Sequence, residues 1–405
     1  MSNAAPLGAV EFEVEASWGV DTTTFGTTLS CIGEPSHTMA WDKEAAGRLE
    51  EYRTGGEPPV LMTQGGTFTT KHDLVRGATT VGTPSASPLG TLLGYVLGNT
   101  AFSLTTSQTA TGGTAAVPTM SGATGVVAGG LVRVGALGDG DGNGQMYAAA
   151  THSGSDLTLI GALDDAPANG AVVAGTEMAY PYSAATATDI TGLRFRFLSG
   201  NLGYEAHGCF ATGYEITGIN TGERPQITIT WSVSWWRHTA TTLPSSNAAA
   251  HYNPSPIAAG SFNFQTVGTT TRAKYAIRGL TVSHTLNVAP QMAPGGVNAY
   301  QKITGAKRAG HDTVTMSFTV DADAATATPA WHTLAIGAGV YHCEWTGSTT
   351  AGSALGFKMP RVCITNVPVQ KNDGGINRLT IECAAYSGAT VTSELTRAAI
   401  VWGLG

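Results

Sequence analysis

Apolar and polar residues alternate along much of this chain, with little helical periodicity. Residues 226–236 (QITITWSVSWW) are the clearest case, because every second residue from Ile227 to Trp235 is apolar and those between are mostly Thr or Ser. Alternate residues of a strand point the same way, so Trp235 is expected to close a core-facing row and Trp236 to lie on the opposite side. Similar alternation occurs at 65–75, 192–198, 210–219, 279–288, 312–322, 339–347, 357–367 and 377–387. The pattern predicts an all-β, mainly antiparallel fold of β-sandwich or β-barrel domains.

Helical patterns are scarce. Residues 87–99 (SPLGTLLGYVLGN) predict one short helix, with Ser87 as the N-cap, Pro88 in the first turn and an apolar stripe of Leu and Val. Residues 328–339 predict a second, shorter helix. Each β domain is therefore expected to have one short flanking helix.

The order of these elements repeats along the chain. PSHTMAW (35–41) matches VSHTLNV (282–288), 247 positions later, whereas the strands at 209–236 match those at 362–387 about 153 positions later. A tandem duplication with about 90 residues inserted after the first helix would produce this change of offset. The predicted organisation is an arm, a first β domain in two pieces, an inserted small β domain and a second β domain, at 1–30, 31–100 with 189–245, 101–188 and 246–405.

Composition narrows the class of function. The chain has 405 residues, only 12% of them charged, and a formal net charge of −7, which gives no reason to expect general affinity for nucleic acid. Its five cysteines lack the spacing of a disulfide framework. The N-terminus lacks the pattern of a secretory signal and no apolar run is long enough for a membrane span, so we expect synthesis in a cytoplasm and no membrane partner.

The candidate chemical motifs are weak. GDGDGNG (138–144) begins like a calcium loop, but Ala150 occupies the position of the bidentate acid, so a Gly-rich hairpin turn is the better interpretation. The histidines and cysteines show no zinc spacing, and there is no G-x-S-x-G elbow or P-loop. The expectation is a non-enzymatic protein without catalytic, cofactor or metal site.

Two long loops at equivalent repeat positions differ in charge. Residues 42–59 carry five acids against three bases, and residues 289–310 contain bases and no acid. Opposite charges at matching positions predict a contact between subunits, and two solvated loops are the alternative. The candidate contact residues are Glu50, Glu51, Arg53, Glu57, Lys302, Lys307 and Arg308, together with Trp236.

Several stretches resemble the tail tube (major tail) proteins of long-tailed, siphovirus-type bacteriophages. GCFATGYEITGINTGERPQITITWSVSW (208–235) is similar to a hairpin common in that family. ASWGV (16–20), GGTFTTKHDLV (65–75) and PRVCITNVPVQKNDGGINRLTIECAAYSG (360–388) also look like family segments. The resemblance covers most of the chain outside 101–188 and concerns pattern and order.

The resemblance implies β-sandwich subunits that join their sheets into a ring, with rings stacked into a hollow tube of the virion. Six domains form the ring in the simplest members, so a duplicated chain implies a trimer with pseudo-sixfold symmetry, with a hexamer as the alternative. The inserted domain would lie outside the tube. Implied partners are other copies of the chain, a tape measure protein, and tail terminator or distal tail proteins, while phage DNA passes through without specific binding.

A surface over which DNA slides should not hold phosphates tightly, so the lumen is expected to be hydroxyl-rich or mildly acidic. Two alternative functions remain. One is a surface adhesin or carbohydrate-binding protein that uses its tryptophans, including Trp231, Trp331 and Trp345, as platforms. The other is a different virion component, such as a capsid decoration or tail terminator protein.

Overall fold

The structure is a computed structural model of the 405-residue chain. It describes residues 7–19, 25–44, 60–74, 86–104, 107–122, 126–135, 144–181, 189–199, 202–219, 222–239, 261–294, 301–322, 327–337, 339–348, 354–388 and 394–405.

The chain forms three groups of elements, and one of them is inserted within the first. The first unit consists of β1 (Leu7–Val14), β2 (Thr27–Ile32), β3 (Ser36–Glu44), β4 (Val60–Asp73) and α1 (Pro88–Leu97), then, after an insertion, β13 (Leu193–Ser199), β14 (Leu202–Thr217), β15 (Gln226–Val233) and β16 (Trp235–Thr239). The insertion contains β5 (Gly98–Phe102), β6 (Gln108–Gly113), β7 (Pro118–Met120), β8 (Leu131–Val134), β9 (Gln145–Ser153), β10 (Asp156–Leu159), β11 (Val172–Gly175) and β12 (Glu177–Pro181).

The second unit fills the rest of the chain. Its elements are β17 (Ser261–Thr266), β18 (Lys274–Tyr275), β19 (Ile277–Thr285), β20 (Val288–Pro294), β21 (Gln301–Arg308), β22 (Thr313–Asp321), α2 (Ala327–Ile336), β23 (Tyr341–Ser348), β24 (Leu355–Ile364), β25 (Gln370–Asp373), β26 (Ile376–Tyr386), α3 (Glu394–Arg397) and β27 (Val401–Leu404). The predicted all-β class is confirmed, and Ser87 caps α1 as expected, since its hydroxyl accepts the Gly90 N–H at 2.9 Å.

The two units share one order of strand pairing. Antiparallel neighbours run β1–β13–β14–β15–β4–β3 in the first unit and β17–β23–β24–β26–β22–β19 in the second. A helix follows β4 in the first unit and β22 in the second. This is the arrangement that a tandem duplication would produce.

One long sheet runs through both units. Its order is β3–β4–β15–β14–β19–β22–β26–β24, and the two units meet where β14 pairs with β19, for example at Tyr214 and His284. Each unit adds a short sheet, which is β2–β1–β13–β14–β16 in the first and β18–β17–β23–β24–β27 in the second. β14 and β24 each take part in two sheets. The N-terminal part of each strand pairs in the short sheet of its unit, and the C-terminal part pairs in the long sheet.

The core lies between the long sheet and the short sheets. Phe195 of the first short sheet packs on Trp231 and Phe68 of the long sheet, with ring centroids 4.6 Å and 5.1 Å apart. Phe262 and Phe318 make the corresponding contact in the second unit at 4.7 Å. One hydrophobic cluster continues through both units, so the two sandwiches share a core.

The chain changes direction where it passes from β15 in the long sheet to β16 in the short sheet. Ile227, Ile229, Trp231 and Val233 form the predicted buried row. At Ser234 the strand bends opposite Gly208, which has a φ of +60° and approaches Ser234 too closely for a side chain.

The bend reverses the two adjacent tryptophans relative to the sequence-based expectation. Trp236 is 6% exposed and packs on Phe68 and His37 in the core. Trp235 lies on the other side, half-buried, and stacks on His207 with centroids 3.9 Å apart. The expectation that Trp235 faces the core and Trp236 faces away is therefore wrong, because strict alternation does not survive a bend between sheets.

Two further sequence-based expectations need correction. Residues 7–14, placed in an N-terminal arm, form β1 between β2 and β13, and Val10 and Phe12 are buried in the core. The segment at 289–310, expected to be a loop, is largely the antiparallel hairpin β20–β21. Residues 45–59 lie outside the described residues.

The inserted barrel is closed by six strands in the order β10–β7–β6–β11–β8–β9, all within the predicted insertion at 101–188. Its stems β5 and β12 extend the short sheet of the second unit beyond β27. The barrel rests on that sheet, since the backbone N–H groups of Met146 and Ala148 donate to Thr346 and Glu344 at 3.0 Å and 3.1 Å. It thus covers the side of the second unit away from the long sheet.

Candidate functional site

The open face of the long sheet is rich in hydroxyl groups. Directly paired residues carry a row of small side chains across six strands, and a second row crosses β15, β14, β19 and β22. The first row is Ser36, Thr69, Thr230, Gly213, Thr285 and Thr313, and the second is Thr228, Glu215, Ser283 and Thr315. Because adjacent residues of each strand are buried in the core, the short polar residues are left on the outer side.

The same face has little net charge. Its basic side chains outnumber the acidic ones by one, and some pair directly, as Arg278 does with Asp321 at 3.2 Å. The bases are Lys71, Arg278, Arg361, Lys371 and Arg378, and the acids are Asp73, Glu215, Asp321 and Glu382. This surface, hereafter the hydroxyl face, spans both units, and Arg278, Lys371 and Arg378 line one concavity on it beside Asp321.

The joint between the units is a hydrogen-bonded core contact. The ring Nδ1 of His284 lies 3.2 Å from the Tyr214 hydroxyl, and its Nε2 lies 3.2 Å from Asp312. Trp402 donates to the same Tyr214 hydroxyl at 2.7 Å. Burial lowers the pKa of His284 in spite of the opposing effect of Asp312, so a neutral imidazole is favoured at this joint.

The hairpin β20–β21 crosses from the second unit onto the first. Ile303 and Ala306 pack on Phe210 of β14, and Ser234 donates its hydroxyl to the Ile303 carbonyl at 2.8 Å. Arg308 donates to the carbonyls of Val96 and Leu97, at 3.2 Å and 2.6 Å, and so caps the C-terminal end of α1.

The candidate contact residues do not form one cluster. Glu50, Glu51, Arg53 and Glu57 lie outside the described residues, and Lys302 is placed by its backbone in β21. Lys307 forms an exposed ion pair with Asp189 at 3.4 Å. Arg308 pairs with Asp312 as well as capping α1. Trp236 packs in the core of its own chain. Its role in a subunit contact stays a prediction.

The long sheet has two edges that complete the candidate assembly surface. Among the described residues, β3 pairs with β4 alone at one end. At the other end, the segment from Cys363 to Asn366 bonds to β26, β25 pairs with β26 further along the same edge, and neither shows strand pairing on its outer side within the described part of the chain. Pro368 lacks an N–H group and suits an edge position.

A buried polar cluster under the inserted barrel was not found from the sequence. Glu344 pairs with Arg272 at 2.7 Å and with His342 at 2.9 Å, and it lies opposite Lys358 in the β23–β24 ladder. Burial alone would raise the pKa of Glu344, but the Arg272 charge and the hydrogen bonds outweigh it and lower that pKa to about 2. Burial lowers the pKa of Lys358 to about 8 against the opposing Glu344 charge.

The sequence contained one signal for this cluster. His342, Glu344 and Thr346 alternate with the core residues Cys343 and Trp345, so a polar row on the outer side of β23 is predictable. Its burial is not predictable, because the barrel that covers it comes from residues about 200 positions away.

The described residues form neither a metal site nor a membrane-spanning helix. Within the described ranges, no group of three or more His, Cys, Asp or Glu side chains is placed to hold a metal ion. None of the described helices is long and apolar enough to cross a membrane. Residues 136–143, which contain most of GDGDGNG, lie outside the described residues.

Comparisons with known proteins leave the chain without an assigned family. No protein-family model matches it, and no curated protein matches it.

Proposed function

We propose that this protein is a structural component of a phage virion that assembles into stacked rings, forming the hollow tail tube through which DNA leaves. The proposal takes its class from the resemblance of the β14–β15 hairpin and the other matching segments to tail tube proteins. The structure bears on it through the surfaces available for assembly.

The joint between the two units carries the proposal. β14 of the first unit pairs with β19 of the second. In the shared pairing order, β24 of the second unit corresponds to β14, and β3 of the first unit corresponds to β19. β24 and β3 are the strands at the two open ends of the long sheet. The same joint made between chains links each chain head to tail to the next, and such a contact closes into a ring if the rotation permits.

Ring closure would also remove two exposed strand edges. An unpaired edge invites uncontrolled pairing, and a closed sheet removes that hazard. Because each chain supplies two units, three chains give six units in a pseudo-sixfold ring, and six chains are the alternative.

The hydroxyl face suits the lumen of such a ring. A near balance of charge and many short Thr and Ser side chains give DNA phosphates few unpaired cations to bind, so DNA is expected to pass without specific recognition. The inserted barrel rests on the opposite side of the second unit, which corresponds to the tube exterior. Tape measure, terminator and distal tail proteins are the partners expected at the tube.

Burial of the tryptophans disfavours the adhesin alternative. Trp231, Trp331, Trp345 and Trp402 are each at most 2% exposed, so they serve the core and offer no platform for a sugar ring.

Negative-stain electron microscopy of the purified protein, combined with native mass measurement of isolated rings, tests the proposal. Annular rings or long hollow tubes are expected, with a ring mass of three chains. A ring of six chains would replace the trimer while keeping the tube. Monomers at high concentration would overturn the proposal, and glycan binding by them would favour an adhesin. Rings that never stack would point to a terminator-type component.

A further inference from the structure

One concavity on the hydroxyl face gathers basic side chains from three strands of the second unit. Arg278 of β19, Lys371 of β25 and Arg378 of β26 line it together. The other side chains that line it are short and polar, and they are Thr319, Asn372 and Thr380. We name these six residues the basic concavity.

A single carboxylate serves the two arginines of the basic concavity. Asp321 of β22 lies 3.2 Å from Nη2 of Arg278 and 3.5 Å from Nε of Arg378. With Lys371 included, three bases stand against one acid, which leaves two positive charges in excess. The rest of the hydroxyl face has the opposite balance, since its charged side chains are Lys71, Arg361, Asp73, Glu215 and Glu382. The positive charge of this face is therefore concentrated in one place.

A β-bulge turns Arg278 onto this face. Val282 is buried in the core, and strict alternation along β19 would put Arg278 on the same side. The pairing of β19 with β22 shifts register just after Arg278, where Gly279 has a φ of +61°. Arg278 consequently lies opposite Thr319, on the outer side of the sheet. Bulges are enriched beside functional sites, where they re-aim a side chain in this way.

The first unit has no bases at the corresponding positions. Lys371, Arg378 and Asp321 pair in a row across β25, β26 and β22. The matching row across β14, β15 and β4 is Thr217, Gln226 and Asp73. The rows correspond because each ends on the last residue of the strand that precedes α1 or α2. The same scaffold thus forms with Thr and Gln at these places, so the fold does not require the Lys and the Arg.

We propose that the basic concavity binds backbone phosphates of duplex DNA and gives the lumen one weak contact per chain that is independent of DNA sequence. The inference rests on the proposed function, because the hydroxyl face meets DNA only if it lines the tube. Arg, Lys, Asn and Thr are among the residue types that contact DNA phosphates. None of the side chains that line the concavity is aromatic or aliphatic, so it offers neither a platform for bases nor a pocket for the anchor residue of a peptide.

Such a contact holds DNA without stopping it. The affinity of a protein for DNA falls steeply with salt in proportion to the number of phosphates that it neutralises, and only about two or three phosphates are neutralised here. Binding should therefore be measurable at low salt and weak at physiological salt. DNA that passes through the tube would be guided along this side of the lumen and released again.

Exchange of two bases for the residues of the first unit tests the inference. We expect Lys371→Thr with Arg378→Gln to weaken the binding of a labelled, mixed-sequence DNA duplex to the unassembled full-length chain by at least about tenfold at low salt. The slope of log K against log salt concentration should become shallower by about two, with an unchanged thermal midpoint. The matched control is Lys71→Gln with Arg361→Gln, which removes two bases from the same face outside the concavity and should leave that slope unchanged.

Two further measurements identify the contact and its ligand. Arg378→Lys keeps the charge and should keep the salt slope, whereas a loss of slope in this variant would contradict a phosphate contact at Arg378. Labelled polyglutamate represents an acidic protein segment. Polyglutamate that binds as tightly as the duplex, and loses binding in the Lys371→Thr, Arg378→Gln variant, would overturn DNA as the occupant in favour of an acidic partner.

The outcomes separate this inference from the proposed function. Unchanged duplex binding by the Lys371→Thr, Arg378→Gln variant would overturn the phosphate site and leave the tube intact. Equal loss in the Lys71→Gln, Arg361→Gln control would assign the attraction to the whole face and overturn the concavity as the site. Duplex binding through the concavity by a chain that stays monomeric at high concentration would support the site and overturn the tube.

Discussion

The outer faces of the two short sheets use similar residue types in different surroundings. In the first unit, Glu11 pairs with Arg196 and Glu205 with Arg237, and the side chains of these arginines are 23% and 43% exposed. In the second unit, the Arg272 and Glu344 side chains are only 4% and 2% exposed beneath the inserted barrel. The first unit therefore leaves the arginines of these pairs partly in water above Glu11 and Glu205, whose side chains are 10% and 4% exposed, whereas the inserted barrel buries both partners on the second unit.

The difference shows what fixes the barrel in place. Exposed ion pairs contribute little to stability because water and salt screen them. A buried charge must be paired and hydrogen-bonded, or it destabilises the fold strongly. The docked barrel adds two contacts to this cluster, since Ala148 donates to Glu344 and the Arg272 guanidinium lies 4.4 Å from the centroid of the Tyr147 ring. We infer that these contacts specify the docked position more than they stabilise the fold.

The largest expected effect comes from breaking the buried cluster. Glu344→Gln removes the charge opposite Arg272 and Lys358 and is expected to lower the free energy of unfolding by about 3–5 kcal/mol. Chemical denaturation measures the loss, and limited proteolysis should show cleavage at the barrel stems. Glu11→Gln is the control, and it should cost less than Glu344→Gln because its partner Arg196 keeps 23% of its side chain in water. Equal losses in the two variants would remove the distinction between the faces.

The next effect concerns pH. Lys358 has a pKa of about 8 in the folded chain and 10.5 when unfolded, so its charged form is disfavoured by folding. The destabilisation is fully present below pH 8 and disappears as pH rises to 10.5. The unaltered protein should therefore gain up to about 3 kcal/mol across this window relative to Lys358→Met, as measured by denaturation of both at each pH. A constant difference between them would contradict a buried charged Lys358.

Glu344 stabilises the fold in its charged form, whereas the charged form of Lys358 destabilises it. Its folded pKa of about 2 lies below the ordinary value of 4.5, so its contribution is present above pH 4.5 and disappears as pH falls towards 2. Proteolytic release of the barrel is expected to begin below pH 4. Release already at pH 6 would show that other groups control docking.

The smallest expected losses of stability come from two neighbouring residues of the β20–β21 hairpin, Arg308 and Lys307. Arg308→Ala loses the cap on α1 and the Asp312 pair, and should cost about 1–3 kcal/mol. Lys307→Ala loses only the exposed pair with Asp189 and should cost less than about 0.5 kcal/mol. Thermal unfolding of both variants tests the contrast, and a larger effect at Lys307 would contradict the assignment of Arg308 as the residue that joins the units.

The sequence alone determined which residues face the core along most strands. Alternation identified Ile227, Ile229 and Trp231 in one unit, and Leu379 and Ile381 in the other, as buried rows, because the side-chain period of a strand is a local property. The cap of α1 at Ser87 was also readable, since the residue types that cap a helix lie within a few positions of its first turn.

The tertiary structure decided the contacts between distant residues. The bend at Gly208 and Ser234 exchanged Trp235 and Trp236, and Arg308 reached the end of α1 more than 200 residues away along the chain. The barrel buried Glu344 from a similar separation. Local alternation fixes which side of a strand is apolar, but the element that covers the polar side depends on how the sheets and the insertion pack together.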